Sequence, residues 1–208
     1  MHVQEREFMI KRIFVPIMML LILIYINALA DSVPYTFGDF TFPIPDNLYV
    51  LTKDQHDVDA LGLEVNISQY FADSLFVTQP GLQIDCMRIE PFYEISVTQL
   101  SVTDVTDFSE LTPSQLKDYR YAWKDKLQAQ QIDIMGEMQV LSHSQTNFLC
   151  YSGTMDMNGT IIYITAYFTC ENNIMTTIAL KTYDNPADES IVAVLDDIVQ
   201  GTVLNAVQ

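Results

Sequence analysis

Asn158-Gly159 stands between two runs, Phe148 to Met155 and Thr160 to Cys170, that are rich in β-branched and aromatic residues. Asn-Gly readily takes the two positive-φ conformations of a type I′ turn, whose twist matches that of the strands it joins. The middle of the chain is thereby tied to an antiparallel hairpin. A second turn, Glu171-Asn172-Asn173, leads into Met175 to Tyr183, and Glu137 to Ser144 precedes the set. These segments predict an antiparallel meander.

The flanking sequence adds helices to that sheet. Thr112 followed by Pro113 and Gln115 has the form of a capping box with proline at the first helical position. Behind it Leu116, Tyr119, Trp123 and Leu127 make an apolar stripe, which predicts a helix to about Gln131. Asn185-Pro186, with Asp188 and Glu189 behind it, predicts a closing helix capped by Asn185 and running to about Leu204. An earlier helix is expected over 58–73, entered through Asp54, Asp57 and Asp59. Leu82 to Ile89 and Glu94 to Val102 read as two antiparallel strands after the turn at Pro80-Gly81. Tyr35 to Phe42 reads as an edge hairpin around Gly38-Asp39, with Pro43 and Pro45 breaking the pairing before Leu48 to Thr52 resumes. The order is hairpin, helix, two strands, helix, three or four strands, helix. It predicts an α+β architecture.

Ahead of this domain, Lys11-Arg12 precedes the apolar run Ile13 to Ile26, and Ala28-Leu29-Ala30 follows. A basic flank, an apolar core and a small-x-small site are the parts of a secretory signal peptide. Residues 1–30 are therefore expected to be a signal peptide cut after Ala30, and 31–208 a single domain. An uncleaved anchor is the alternative, since the run counted on to Ala30 reaches about 18 residues, the lower edge of a bilayer span, although Pro16 interrupts it. No Cys follows the run, which speaks against a bacterial lipoprotein.

Charge narrows the partners. The chain has 27 acidic and 10 basic residues; without residues 1–30 it keeps 25 and 7, a net −18. Nucleic-acid binding depends on clustered Lys and Arg, so this balance disfavours it, and it disfavours anionic membrane surfaces as well. A membrane link is expected only through an uncleaved N-terminal segment. Cationic partners and metal ions stay open. Lys117, Arg120, Lys124 and Lys126 cluster, but they alternate with Asp118 and Asp125 and read as a solvated helix face. A hydrophobic content of 49% supplies a core and excludes a disordered chain.

The opening Phe40-Thr41-Phe42-Pro43-Ile44-Pro45-Asp46-Asn47-Leu48-Tyr49-Val50 resembles that of the Mog/PsbP-like superfamily. The pairing of Gln145-Thr146-Asn147-Phe148 with Thr160 to Tyr167, and the helix after Tyr183-Asp184-Asn185-Pro186, are similar to the same group. The resemblance covers nearly the whole of 31–208. It implies an α/β/α sandwich with a central antiparallel sheet and a tendency toward protein–protein roles. It carries no shared catalytic residues, and a fold alone does not give a function.

Reactive residues are few. Beyond residue 30 the histidines are His56 and His143; no Gly-x-Ser-x-Gly accompanies them, and His143 reads as a solvent-facing strand residue. Cys86 and Cys150 lie in apolar strands, where a thiol acts as a small hydrophobe; Arg88, two residues from Cys86 on the same face, is the one hint of thiolate chemistry. With Cys170 the count is three, which allows one bridge and one free thiol, or no bridge. With Asn158-Gly159 as the turn, Cys150 falls opposite Tyr167 and faces away from Cys170, so that pair is disfavoured. Asp54, His56, Asp57 and Asp59 offer hard ligands but lack the calcium-loop pattern and read as the start of a helix. Asn66 and Asn158 match the glycosylation sequon weakly.

No catalytic, cofactor-binding or metal-ligating set is assigned, and no cofactor is expected. The sequence predicts a secreted or extracytoplasmic, non-enzymatic accessory or protein-binding domain. The alternative is a domain binding a small ligand or a divalent cation, through Tyr35, Phe37 and Tyr93 or through the acidic 54–59 segment. A hydrolase using His143 or His56 ranks last.

Overall fold

The computed structural model describes residues 32–54, 69–103 and 105–205. Internal contacts divide the chain into Met1–Val33 and Pro34–Gln208, and the fold below is that of the second unit.

Its centre is a seven-stranded sheet of β3 (Tyr49–Thr52), β4 (Leu82–Arg88), β5 (Tyr93–Ser101), β6 (Asp133–Ser142), β7 (Asn147–Met157), β8 (Thr160–Glu171) and β9 (Ile174–Tyr183). The strand order is β3-β4-β5-β9-β8-β7-β6, with every pairing antiparallel. A smaller sheet joins β1 (Ser32–Phe37), β2 (Phe40–Pro45) and β10 (Val203–Leu204) in the order β1-β2-β10. The helices are α1 (Gln69–Thr78), α2 (Pro113–Ala129) and α3 (Glu189–Gly201).

Alternation along the strands sorts the core into two faces. On one face α3 and the small sheet cover Ile84, Cys86, Ile95, Val97, Ile178 and Leu180, with Phe40, Phe42 and Ile44 of β2 and Leu195 and Ile198 of α3 packed in. On the other face α2 covers Leu149, Ile162, Ala166 and Phe168 with Leu116 and Leu127, while α1 places Ala72 and Phe76 over Leu51, Leu82 and Met87. Helices on both faces of an antiparallel sheet make the α/β/α form of the α+β class that the sequence predicts.

The Asn158-Gly159 turn pairs Met157 with Thr160, both turn residues having positive φ. The cap of α2 is also as expected: Thr112 accepts from the Gln115 amide at 3.3 Å, and Gln115 Oε1 accepts from the Thr112 amide at 2.9 Å.

Five expectations need correction. Strand β2 continues through Pro43 and Pro45, because its short pairing with β10 lies at Phe40 and Thr41 and leaves the prolines clear. Strand β6 begins at Asp133, four residues before the alternating pattern: a bulge between Met135 and Gln139, with Gly136 at φ +80°, breaks the period of two. Of the helix expected over 58–73, residues 55–68 lie outside the described residues, and α1 runs on to Thr78. The cap of α3 is Asp188, which accepts from the Ile191 amide at 3.0 Å. Asn185 instead belongs to a turn tied to the sheet, where Asp184 has φ +60° and the Asn185 carbonyl accepts from Thr182 Oγ1 at 2.7 Å. Finally, α3 stops at Gly201 and the chain turns into β10, a strand that periodicity did not announce.

The tail then fastens itself down. Gln145 brackets Leu204, donating to its carbonyl at 3.0 Å and accepting from its amide at 2.8 Å, and the Asn205 amide donates to the Asp39 carbonyl at 2.6 Å.

Candidate functional site

Cys86, Cys150, Cys170 and His143, singled out in the sequence, are committed to the fold. Cys86 is fully buried, and burial, followed by the nearby Asp85, pushes its thiol well above the usual range. Arg88 gives it no help: its Nε donates to the Glu90 carbonyl at 3.2 Å and its side chain bonds Tyr93. Burial likewise pushes Cys150 and Cys170 up to about 11. All three thiols are free. Cys150 lies opposite Tyr167 on the α3 face and Cys170 packs under α2, on opposite sides of the sheet as the turn register implies.

His143 stands one residue past β6 and is half-buried, a correction to its reading as a solvent-facing strand residue. Its Nδ1 accepts from the Gln145 amide at 3.4 Å, so Nε2 carries the proton and donates to the Gln200 carbonyl at 3.1 Å. The ring meets Phe148 edge-on at 6.0 Å. Nδ1 thus closes the β6–β7 turn on itself, and Nε2 fastens that turn to the end of α3. His56, Asp57 and Asp59 lie outside the described residues, and Asp54 is exposed. The aromatics offered for ligand stacking serve the core: Tyr93 is buried in the α3-face cluster, and Tyr35 and Phe37 pack against it. Among the described residues no group of three or more His, Cys, Asp or Glu is placed to hold a metal ion.

One buried carboxyl had no place in the sequence reading. Asp85 of β4 is only 5% exposed and faces Ser96 across the β4–β5 pairing. Burial, reinforced by Glu94 and opposed by Lys181, raises its pKa to about 7. Glu94 in turn accepts from the Tyr183 hydroxyl at 2.8 Å and lies 4.0 Å from Lys181 Nζ. These residues form a polar strip between the apolar patches under α1 and α2. The signal was present as a charged residue inside the run Leu82-Gln83-Ile84-Asp85-Cys86-Met87, where strand alternation alone does not reveal burial.

What the structure opens to solvent lies elsewhere. On the α3 face, strands β7, β8 and β9 extend beyond the cover of the helix and leave a depression of about 230 Å³. Ser152, Thr165, Leu180 and Thr182 form its floor, Pro186, Ala187 and Val192 its wall, and Met135 its rim. Ser152 and Thr165 hydroxyls bond each other at 3.1 Å, and the Thr182 hydroxyl is used by Asn185. The remaining lining is largely apolar and carries no formal charge. Such a surface suits an uncharged apolar group that excludes water, held by shape and a few hydroxyl contacts. Its residues come from four strands, a turn and α3, separated by up to 57 positions, and no local pattern in the sequence joins them.

No family model and no curated protein sequence matches the chain. Among solved structures it is similar to the solution structure of cyanobacterial PsbP (CyanoP) from Synechocystis sp. PCC 6803, with TM-score 0.49 and 13% identity over 84% of this chain and 93% of that one. It is also similar to the crystal structure of LpqN, involved in cell envelope biogenesis of Mycobacterium tuberculosis, with TM-score 0.43 and 11% identity over 84% of this chain and 91% of that one. Neither likeness brings a residue, ligand or partner to this chain.

Proposed function

We propose that this chain is exported and acts outside the cytoplasm as a non-enzymatic domain that docks a protein partner, with the depression beside α3 as the anchor point. The observation that carries the reading is that depression: open, uncharged and largely apolar on a chain of net charge −17. At about 230 Å³ it is smaller than the roughly 300–1,000 Å³ common for small-molecule sites. It is of a size to take one or two apolar side chains, the kind of central anchor on which protein interfaces concentrate their energy. His143 and the three thiols are engaged in packing and backbone bonds, which further favours binding over turnover.

Two measurements test the two halves of the proposal. N-terminal sequencing of the chain recovered from the extracytoplasmic fraction of its host is expected to start at Asp31; an intact Met1 in the cytoplasm refutes export. A photo-crosslinking residue at Met135, on the rim, is expected to trap one partner of defined mass and to lose it on Val192→Arg. The same residue at Lys117, on the far face, is expected to trap none. Equal adducts at both positions refute the docking site.

A further inference from the structure

Of the four clustered cations Lys117, Lys124 and Lys126 are exposed, as a solvated face requires, and Arg120 is half-buried. Lys126 stands over the Trp123 ring at 4.2 Å. Arg120 and Lys124, one turn apart on α2, instead line a cleft of about 80 Å³ against Gly136, Glu137 and Met138 of β6. That space exceeds several times the roughly 10–15 Å³ that admits a water and has room for a single carboxylate or phosphate group. Gly136, at φ +80° with open space for 4 Å around the point where a side chain would begin, leaves the mouth unobstructed.

Arg120 is fixed in place yet little used. Its guanidinium lies 5.0 Å over the Tyr121 ring, and Nη2 donates to the Tyr121 hydroxyl at 3.1 Å. Its Nε is buried and, among the described residues, has no hydrogen-bond partner. The carboxylate nearest it, Glu137, is 3.6 Å from Nη1, beyond hydrogen-bond length, and is 80% exposed. A guanidinium has five donors in a planar fork suited to oxyanions, and among the described residues Nε has no partner while Nη1 faces Glu137 only at ion-pair distance. Arg120 and Lys124 also belong to the stretch 117–126 that holds four of the seven Lys and Arg beyond residue 30.

We propose that the cleft between α2 and β6 binds one oxyanion, a carboxylate or a phosphate group, through Arg120 and Lys124, with Glu137 as the internal competitor that the ligand displaces. This holds whether or not the depression beside α3 docks a partner. The Arg Nε–H region of a ¹H–¹⁵N spectrum of the full chain provides the readout: Arg120→Lys assigns the Arg120 signal, and Arg88, whose Nε is bonded to Glu90, serves as reference. At constant ionic strength, inorganic phosphate and N-acetylglutamate are titrated separately, and the one that binds at lower concentration names the source. The Arg120 signal is expected to move to saturation while Arg88 stays still. Glu137→Gln is expected to tighten half-saturation, and Lys124→Ala to weaken it, by about threefold to fivefold each. Arg120 and Arg88 moving in parallel with either anion, no saturable movement, or a Glu137→Gln variant with unchanged half-saturation overturns the proposal.

Discussion

The two faces of the sheet are finished in different ways. Under α3 and the small sheet, one continuous apolar cluster runs from Phe40 and Phe42 to Leu195 and Ile198. Under α1 and α2 the apolar residues form two separate clusters, and Asp85, Ser96, Glu94, Lys181 and Tyr183 occupy the sheet between them. The difference follows from the strands. Odd and even positions of β5 and β9 present Ile95, Val97, Ile178 and Leu180 to one side and Glu94, Ser96, Ala179 and Lys181 to the other. One side therefore collapses on burial of apolar area alone, while the other must satisfy polar groups inside a low-dielectric layer. The first is where stability is concentrated, and the second is where pH acts.

Three measurements put that contrast at risk. The largest effect is expected from removing volume on the continuous side. Phe42 is fully buried, and Phe42→Ala should cost about 3–5 kcal/mol, whereas Met87→Ala in the small α1 cluster should fall near about 2 kcal/mol. Urea denaturation of both variants decides it, and equal losses would mean that the faces do not differ in cohesion.

The second effect belongs to the polar strip. The carboxyl of Asp85 holds its proton up to about pH 7 in the folded chain, against 3.8 for an unperturbed group. Folding therefore takes up a proton between those values. The stability contributed by this group is fully present below the lower value and is lost as pH rises through the upper one. Asp85→Asn should remove that slope and leave the variant more stable than the parent at about pH 8, by about 2–4 kcal/mol. Thermal unfolding across the range checks it; a variant less stable at every pH would show that the carboxyl is a needed partner and not a burden.

The smallest effect is local. Thr112→Ala removes one half of the α2 capping box and should cost about 1 kcal/mol, visible as a lowered melting temperature with the spectrum of the Arg120 cleft unchanged. A loss several times larger would tie α2 to the polar strip more closely than its packing indicates.

How far the sequence reached follows from how local each signal is. Thr112-Pro113-Ser114-Gln115 and Asn158-Gly159 are complete within four residues, and both elements stand where they were expected. Asn185-Pro186 has the same outward form yet begins no helix. The Ile161 carbonyl takes the Asp184 amide at 2.8 Å and Thr182 takes the Asn185 carbonyl, so the sheet claims the turn and Asp188 becomes the cap. Bulges defeat a rule of two, as at Gly136. The depression beside α3 and the Arg120 cleft were least legible of all, since each joins residues that only the finished packing brings together. Arg120 illustrates the limit: its spacing placed it on a helix flank, and only the position of β6 converts that flank into the wall of a cleft.

Strand β10 sets the order in which this molecule can be completed. It pairs residues 203 and 204 with 41 and 40, and a side-chain bond joins Thr41 to Asn205 across 164 positions. Along that edge β2 has no strand beside it until residues 203 and 204 are in place. Contacts of such long range form late, because the loop they close must be drawn together first. A chain folding from its front end would thus carry residues 40 and 41 as an open edge until residues 203 to 205 close over it.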